Sequence, residues 1–199
     1  MPLSTLSVNA RFLFDCSGET NMLQDHHKAD LLRSGLSEET IKSACIHSAD
    51  AQLAAVALNG RDVGPGLAFP YFDVQGRSAL TRLKPDKPPV SKEGKTAKYL
   101  TAKDAGNRLY MPRTLPEGWH EDTNLPLIIT EGEKKALKAT QEGFPCIAVA
   151  GVWNFRTRNA KGQRVTLDDF DDIAWSGRTV FIAYDSDLAE KLSSGQGAL

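Results

Sequence analysis

Three short runs of apolar residues divide the last third of the chain. LPLIIT, FPCIAVAG and TVFIAY are continuous rather than alternating, which is typical of parallel strands buried on both faces. The helix-forming string EGEKKALKATQEG follows the first run, and TLDDFDDIAW predicts a second helix capped by Thr166. The order strand, helix, strand, helix, strand predicts an α/β unit with a parallel sheet.

The N-terminal third has a helical pattern. Residues 1–24 show no clear period, and a short helix is predicted over residues 26–33. Ser37 is placed to cap a second helix that starts with two glutamates, and Ser48 to cap a third over residues 49–58.

A β-hairpin is predicted next, because GPGLAFPYFDVQGRSALTRLKP reads as two strands joined by a turn at residues 73–76. Residues 85–106 are rich in Pro, Lys and Gly and are predicted to form a mobile loop. We therefore expect a helical segment at 1–63, a small α+β basic hairpin and loop subdomain at 64–122, and an α/β domain at 123–199.

Charge is distributed unevenly, although the formal net charge is only -1. Residues 77–113 contain ten basic and three acidic side chains, a balance of +7, so the rest of the chain carries -8. Such asymmetry favours polyanion contact in the middle of the chain; a solvated basic loop is the alternative. With 41% hydrophobic and 25% charged residues, the composition is that of an ordinary globular protein.

Targeting and cysteine patterns point to the cytoplasm. The chain has no apolar run near the roughly 20 residues of a membrane span and no secretory leader, so no membrane partner is expected. Cys16, Cys45 and Cys146 are far apart and unpaired in spacing, which argues against a disulfide framework or a zinc ribbon and predicts reduced thiols. His26 and His27 are adjacent, a poor geometry for a metal pair, and are expected to face solvent.

Three carboxylates follow predicted strands. Glu131 ends the first, and Asp185 and Asp187 follow the third. Parallel sheets place their sites beyond the carboxyl ends of the strands, so these side chains should converge on one edge. Clustered carboxylates repel unless a cation neutralises them, and a hard ion such as Mg²⁺ or Mn²⁺ suits oxygen ligands. The alternative is that each acid only caps a helix or a loop.

A family resemblance rests on these same residues. ITEGEKKALKATQEGFPCIAVAGVWNF followed by VFIAYDSD resembles the TOPRIM fold of bacterial-type primases, topoisomerases and related nucleases, with its Glu-Gly and Asp-x-Asp signature. More narrowly, the string is similar to primase-like replication proteins of plasmids and phages. GPGLAFPYFDVQGR and KYLTAKDAGNRLYMP resemble the basic subdomain that precedes TOPRIM in such proteins, so the likeness covers roughly residues 26–190.

The resemblance implies a TOPRIM-like sheet flanked by helices and a role for each site residue. Glu131 would be a metal ligand or general acid/base, and Asp185 and Asp187 would hold Mg²⁺ or Mn²⁺. Residues that would lie near phosphate, by close backbone approach or by charge, are Gly132, Lys134, Lys135 and Gly151. Single-stranded template and nucleotides would be the partners, with a replicative helicase or other replication proteins as further ones. Basic residues that would hold the template or primer backbone are Arg77, Arg82, Lys84, Lys95 and Lys98.

The implied reaction is phosphoryl transfer for primer synthesis, and two departures keep other functions open. No zinc-binding module precedes the basic segment, and only 12 residues follow Asp187, so the TOPRIM sheet is expected to be truncated. A non-catalytic module that binds nucleic acid or a protein is therefore an alternative. Nuclease or topoisomerase-like cleavage is a third function, which is less favoured because no motif places a tyrosine nucleophile.

Overall fold

An antiparallel sheet and a parallel sheet form the framework of the molecule. The computed structural model describes residues 22–103 and 105–185. The antiparallel sheet has the order β1-β2-β3 and consists of β1 (His47–Ala49), β2 (Gly66–Phe72) and β3 (Ser78–Pro85). The parallel sheet has the order β5-β4-β8 and consists of β4 (Leu127–Glu131), β5 (Cys146–Val149) and β8 (Val180–Ala183). These elements confirm the predicted α/β class, the parallel sheet and the hairpin.

The described residues include four α-helices: α1 (Asp25–Arg33), α2 (Glu38–Ser43), α3 (Ala51–Ala57) and α4 (Glu133–Gln141). Ser37 caps α2 as predicted, because its Oγ accepts a hydrogen bond of 3.1 Å from the backbone N of Thr40.

The third helix begins later than predicted. Ser48 is part of β1, and its hydroxyl accepts from Gln24 N at 2.8 Å and contacts His27 Nδ1 at 2.7 Å. Asp50 caps α3 instead, since its Oδ1 accepts from Leu53 N at 2.8 Å. The prediction that Ser48 caps α3 was therefore wrong, because its hydroxyl is engaged by Gln24 and His27.

Residues 166–175 do not form the predicted helix, and Thr166 instead ends a second hairpin. β6 (Arg156–Arg158) pairs antiparallel with β7 (Arg164–Thr166), and only a 3-10 turn, Asp168–Phe170, follows. The buried carboxylate of Asp169 accepts from Leu109 N at 2.7 Å. Strand pairing and this anchor outweigh the local helical pattern.

β8 is not a buried strand, contrary to the prediction from its apolar run. It pairs with one side of β4, and Phe181 and Ile182 are 56% and 69% exposed. Within the part of the chain that the structure describes, nothing packs over these two side chains to bury them.

One hydrophobic core spans all three predicted segments, whose boundaries remain a prediction. β2 is buried along its whole length, and its Leu67, Phe69 and Tyr71 pack with the helices and with β5. The cluster also contains Leu31, Leu36, Ile41, Ala44, Ile46, Tyr110, Ala136, Leu137, Cys146 and Ala148. The parallel sheet and the N-terminal helices therefore share one interior.

The cysteines differ from expectation at one position. Cys146 is a buried thiol, and burial raises the pKa of this group to about 12. Cys45 is disulfide-bonded, so the expectation of three reduced thiols is wrong for this residue. Cys16 lies outside the described residues.

No helix in residues 22–103 and 105–185 is long and apolar enough to span a bilayer.

Asp30 ties α1 to β3 and to α4. Its Oδ2 accepts hydrogen bonds from Lys84 of β3 at 2.8 Å and from Lys134 of α4 at 2.7 Å. Burial alone would raise the pKa of Asp30, but the two ammonium groups outweigh it and lower the pKa to about 2.

Asp30→Asn should lower the free energy of unfolding at pH 7 by about 1–2 kcal/mol, after allowance for solvent screening. A carboxyl group whose pKa is lowered by folding adds stability that is present above about pH 4 and is lost as pH falls towards about 2. Urea unfolding across this range should show wild type and variant converging in acid. Asp25→Asn, an exposed acid of the same helix, should change stability by only a few tenths of a kcal/mol; equal losses in both variants would contradict the assignment.

Candidate active site

Glu131 and Asp185 lie at the same edge of the parallel sheet. Glu131 is the last residue of β4 and is in register with Val149 of β5, while Thr130 is in register with Ala183 of β8. Asp185 follows Ala183 by two residues, so both carboxylates extend from adjacent strand ends. Thr130 Oγ1 fixes this pairing by donating to Ala183 O at 2.7 Å. The third predicted acid, Asp187, lies outside the described residues.

Burial raises the pKa of the Tyr184 hydroxyl, and the negative charge of Glu131 raises it further. Tyr184 directly precedes Asp185, so this coupling is a second sign that the ends of β4 and β8 are close.

Gly132 makes the turn from β4 into α4. Its φ of 89° is a backbone conformation that L side chains rarely adopt. Its backbone N donates to Val149 O at 3.0 Å, so the turn is held against the end of β5. Gly151, just beyond β5, lies beside Asn154: a Cβ at Gly151 would approach Asn154 Nδ2 to 3.2 Å.

The two lysines predicted to contact phosphate have different partners. Lys135 Nζ donates to Asp185 Oδ1, and both side chains are about half exposed. Lys134 Nζ is directed to Asp30 at 2.7 Å and to Ser34 at 3.2 Å. Lys135 therefore contacts the predicted metal ligand itself, whereas Lys134 joins α4 to α1.

A buried ion pair next to the predicted acids was not found from sequence. Glu133, 2% exposed, accepts at Oε1 from Arg82 Nη1 at 2.8 Å and from the Tyr71 hydroxyl at 2.6 Å. Arg82 Nη2 also donates to Ala150 O at 3.0 Å, just after β5. Sequence alone suggests a helix-dipole role for a glutamate at this position; the available hint was the placement of Arg82 in a predicted strand, beside Leu83.

The basic residues predicted to hold nucleic acid fall into two groups. The charges of Arg82 and Lys84 are paired with Glu133 and Asp30; the side chains of the first pair are 14% and 3% exposed, and those of the second 35% and 25%. The others are exposed: Arg77, which pairs with Asp73 at 2.7 Å, Lys95 and Lys98.

Within the described ranges, one group of three possible metal-ligating side chains was found, and it is not at the sheet edge. His26, His27 and Asp86 have ligand atoms within 4.8 Å of one another. His27 is buried, contrary to expectation, and lies between Asp86 Oδ1 and Ser48 Oγ, each at 2.7 Å. These hydrogen bonds join α1 to the end of β3 and to β1.

The donor set at the sheet edge suits a hard cation. Glu131 and Asp185 offer carboxylate oxygens, the ligands preferred by Mg²⁺ and Mn²⁺. Lys135 hydrogen-bonds one oxygen of Asp185, which leaves the other oxygen and Glu131 as ligands.

Comparisons with known proteins identify the fold. A family model described as "Domain of unknown function (DUF3854)" matches residues 118–195. None of the curated proteins matches the sequence at a significant level.

Several solved structures resemble the chain. The Aquifex aeolicus primase, with zinc-binding and RNA polymerase domains, is 16% identical with a TM-score of 0.57; the match covers 86% of this chain and 46% of that one. The E. coli primase catalytic core is 18% identical, with a TM-score of 0.52 and coverage of 85% and 58%. A DnaG primase catalytic domain bound to ssDNA is 19% identical, with a TM-score of 0.52 and coverage of 84% and 58%. The chain thus has the primase-like TOPRIM fold that was predicted, and it spans about half the length of these structures.

Glu133→Gln should lower the free energy of unfolding by about 3–5 kcal/mol, because it leaves the Arg82 guanidinium in the interior without its counter-charge. Replacing both partners, as Arg82→Met with Glu133→Leu, should recover most of that loss. Chemical denaturation of Arg82→Met, of Glu133→Leu and of the double variant that combines them measures the coupling.

Glu142→Gln, which removes an exposed ion pair at the other end of α4, is the matched control and should cost less than about 1 kcal/mol. A Glu133→Gln loss no larger than the control would contradict the assignment of a buried pair.

Proposed function

We propose that the protein is a primase-like nucleotidyltransferase that joins nucleotides on a single-stranded DNA template during plasmid or phage replication. The observation that supports this most directly is the register of β4 and β8, which brings Glu131 and Asp185 to one sheet edge within a primase-like fold. A replicative helicase and other replication proteins are the proposed further partners.

The proposed reaction is attack of a primer 3′-hydroxyl on the α-phosphate of a nucleotide. The bond from O3′ to the phosphorus forms, the bond to the leaving pyrophosphate breaks, and the hydroxyl proton is released. Mg²⁺ or Mn²⁺ held by Glu131, Asp185 and Asp187 would supply charge stabilisation on the reacting oxygens. Glu131 is proposed either as one of these ligands or as the group that receives the proton.

Other residues would bind and orient. Gly132 allows a phosphate to approach the first turn of α4, where backbone N–H groups and the helix dipole favour an anion. Gly151 would leave room for substrate at the end of β5. Exposed Arg77, Lys95 and Lys98 are proposed to contact the template or primer backbone. Arg82, Lys84 and Lys134 would contribute by fixing the fold, since their charges are already paired.

One observation favours a second candidate, a non-catalytic module that binds nucleic acid or protein. The Lys135 ammonium neutralises Asp185, which is the task that a divalent cation would otherwise perform. In this alternative the acidic edge persists as an ion pair, and no turnover occurs.

Asp185→Asn should reduce nucleotide incorporation by at least about 100-fold while leaving template binding within a few-fold of wild type. The measurement is extension of labelled nucleotides on single-stranded DNA with Mg²⁺ or Mn²⁺, with Glu131→Gln alongside. Asp171→Asn, an exposed acid beyond the 3-10 turn, is the matched control. Incorporation that both site variants retain would exclude the catalytic proposal.

Lys135→Ala separates the two candidates without an activity assay. If Asp185 is a metal ligand, removing the competing ammonium should tighten Mn²⁺ binding about five-fold or more, as measured by calorimetry or by manganese paramagnetism. Lys138→Ala, a lysine on the same helix that pairs with Glu142, should leave Mn²⁺ affinity unchanged. Absence of Mn²⁺ binding in both wild type and Lys135→Ala would favour the non-catalytic module.

A further inference from the structure

An open cleft of about 520 Å³ lies between the β6–β7 hairpin and the segment around Asn107. Trp153 and the three hairpin arginines, Arg156, Arg158 and Arg164, line it. A smaller cleft shares Asn107 with it and extends to Arg82 and Tyr99 at the antiparallel sheet.

Trp153 presents its ring to solvent, with 69% of the residue exposed. This tryptophan is therefore not part of the core. Trp119 is buried, and Trp175 is half-buried with its indole N–H donating to Phe170 O at 2.7 Å. An exposed indole at the mouth of a cleft offers a flat surface on which a nucleic-acid base can stack.

The three arginines lie on one face of the hairpin. Arg156 and Arg158 are two residues apart in β6, and Arg158 is in direct register with Arg164 of β7. Like charges directly opposite each other across two strands destabilise their pairing. Among residues 22–103 and 105–185, no acid forms an ion pair with any of the three. A bound polyanion would relieve this repulsion.

The hairpin is attached to the rest of the fold. Asn107 Nδ2 donates to Arg156 O at 3.1 Å, and Arg108 Nε donates to Asp169 Oδ2 at 3.0 Å in the turn that follows β7. Arg108 thus has an internal acidic partner, in contrast to the hairpin arginines. The cleft is a formed surface rather than an isolated loop.

A short segment joins the cleft to the sheet edge of the proposed active site. Trp153 follows Val149, the last residue of β5, by four positions, and Val149 is in register with Glu131. Template bound in the cleft would therefore be held by the segment that directly follows β5.

We propose that this cleft binds single-stranded DNA, with Trp153 stacking on a base and Arg156, Arg158 and Arg164 contacting consecutive phosphates. A stacking aromatic beside a row of cations is a sequence-tolerant arrangement, and a base must be unpaired to stack in this way. The inference rests on the proposed function for its substrate class, and it adds four residues outside the basic segment 77–113 to the template-binding surface.

The test is binding of a short oligothymidylate, followed by tryptophan fluorescence and by anisotropy of a labelled oligomer over a range of salt concentrations. Trp153→Ala should weaken binding roughly 10-fold with an unchanged salt slope. Arg158→Ala with Arg164→Ala should weaken binding and reduce the slope of log K against log [salt] by about 1.4, near 0.7 for each lost phosphate contact.

Two controls accompany these variants. Arg61→Ala removes an exposed arginine between α3 and β2 and should change neither affinity nor slope. Trp153→Phe keeps an aromatic surface, so its affinity for the oligomer should be within a few-fold of the wild-type affinity. The decrease in tryptophan fluorescence that binding causes in wild type should disappear in this variant. Thermal unfolding of each variant at the wild-type temperature would show that the fold is intact.

The proposal would be overturned if the cleft variants bound the oligomer as tightly as wild type, or if wild type did not bind it. It would also be overturned if wild type bound duplex DNA with equal affinity and Trp153→Ala left that affinity unchanged. The outcome is separable from that for catalysis. If Asp185→Asn and wild type both fail to incorporate nucleotides but the cleft variants still lose binding, the cleft assignment stands and the catalytic proposal fails.

Discussion

The buried pair of Arg82 and Glu133 is the contact on which the geometry of the candidate site depends. Arg82 comes from the antiparallel sheet, Glu133 begins α4, and the same guanidinium reaches the carbonyl of Ala150 beyond β5. The Arg82 side chain therefore fixes the ends of β4 and β5 relative to the β2–β3 hairpin. Because Glu131 and Gly132 directly precede Glu133, any displacement of this pair would move the acidic edge as well. Burying two charges is costly, and the Tyr71 hydroxyl and the Ala150 carbonyl offset that cost by satisfying further hydrogen bonds.

Much of the architecture follows from local pattern. The continuous apolar runs identified β4 and β5, the turn that ends at Gly76 identified the β2–β3 hairpin, and Ser37 identified the start of α2. The placement of Glu131 and Asp185 at neighbouring strand ends also follows from the order of elements, because parallel strands share one carboxyl edge. In these cases the local sequence pattern and the order of the elements were sufficient to predict the structure.

The errors arose where a distant residue decided the outcome. Thr166 was expected to start a helix, but pairing with β6 and the anchoring of Asp169 by Leu109 determine a strand and a 3-10 turn. β8 has the apolar composition of a central strand, yet among the described residues only β4 pairs with it, and its composition carries no information about what lies on its other side. Likewise, nothing near Arg82 or Lys84 in sequence reveals that Glu133 and Asp30 neutralise them.

The shared core also bears on how the molecule could be dissected. Leu137 and Cys146 of the α/β unit pack in the same cluster as Leu31 and Phe69. A fragment starting near residue 123 would turn that apolar face towards water, and would lose the arginine that neutralises Glu133. The acidic edge is thus not an independent unit: grafting it onto another scaffold would require transfer of the β2–β3 hairpin and of helices α1 and α2 as well.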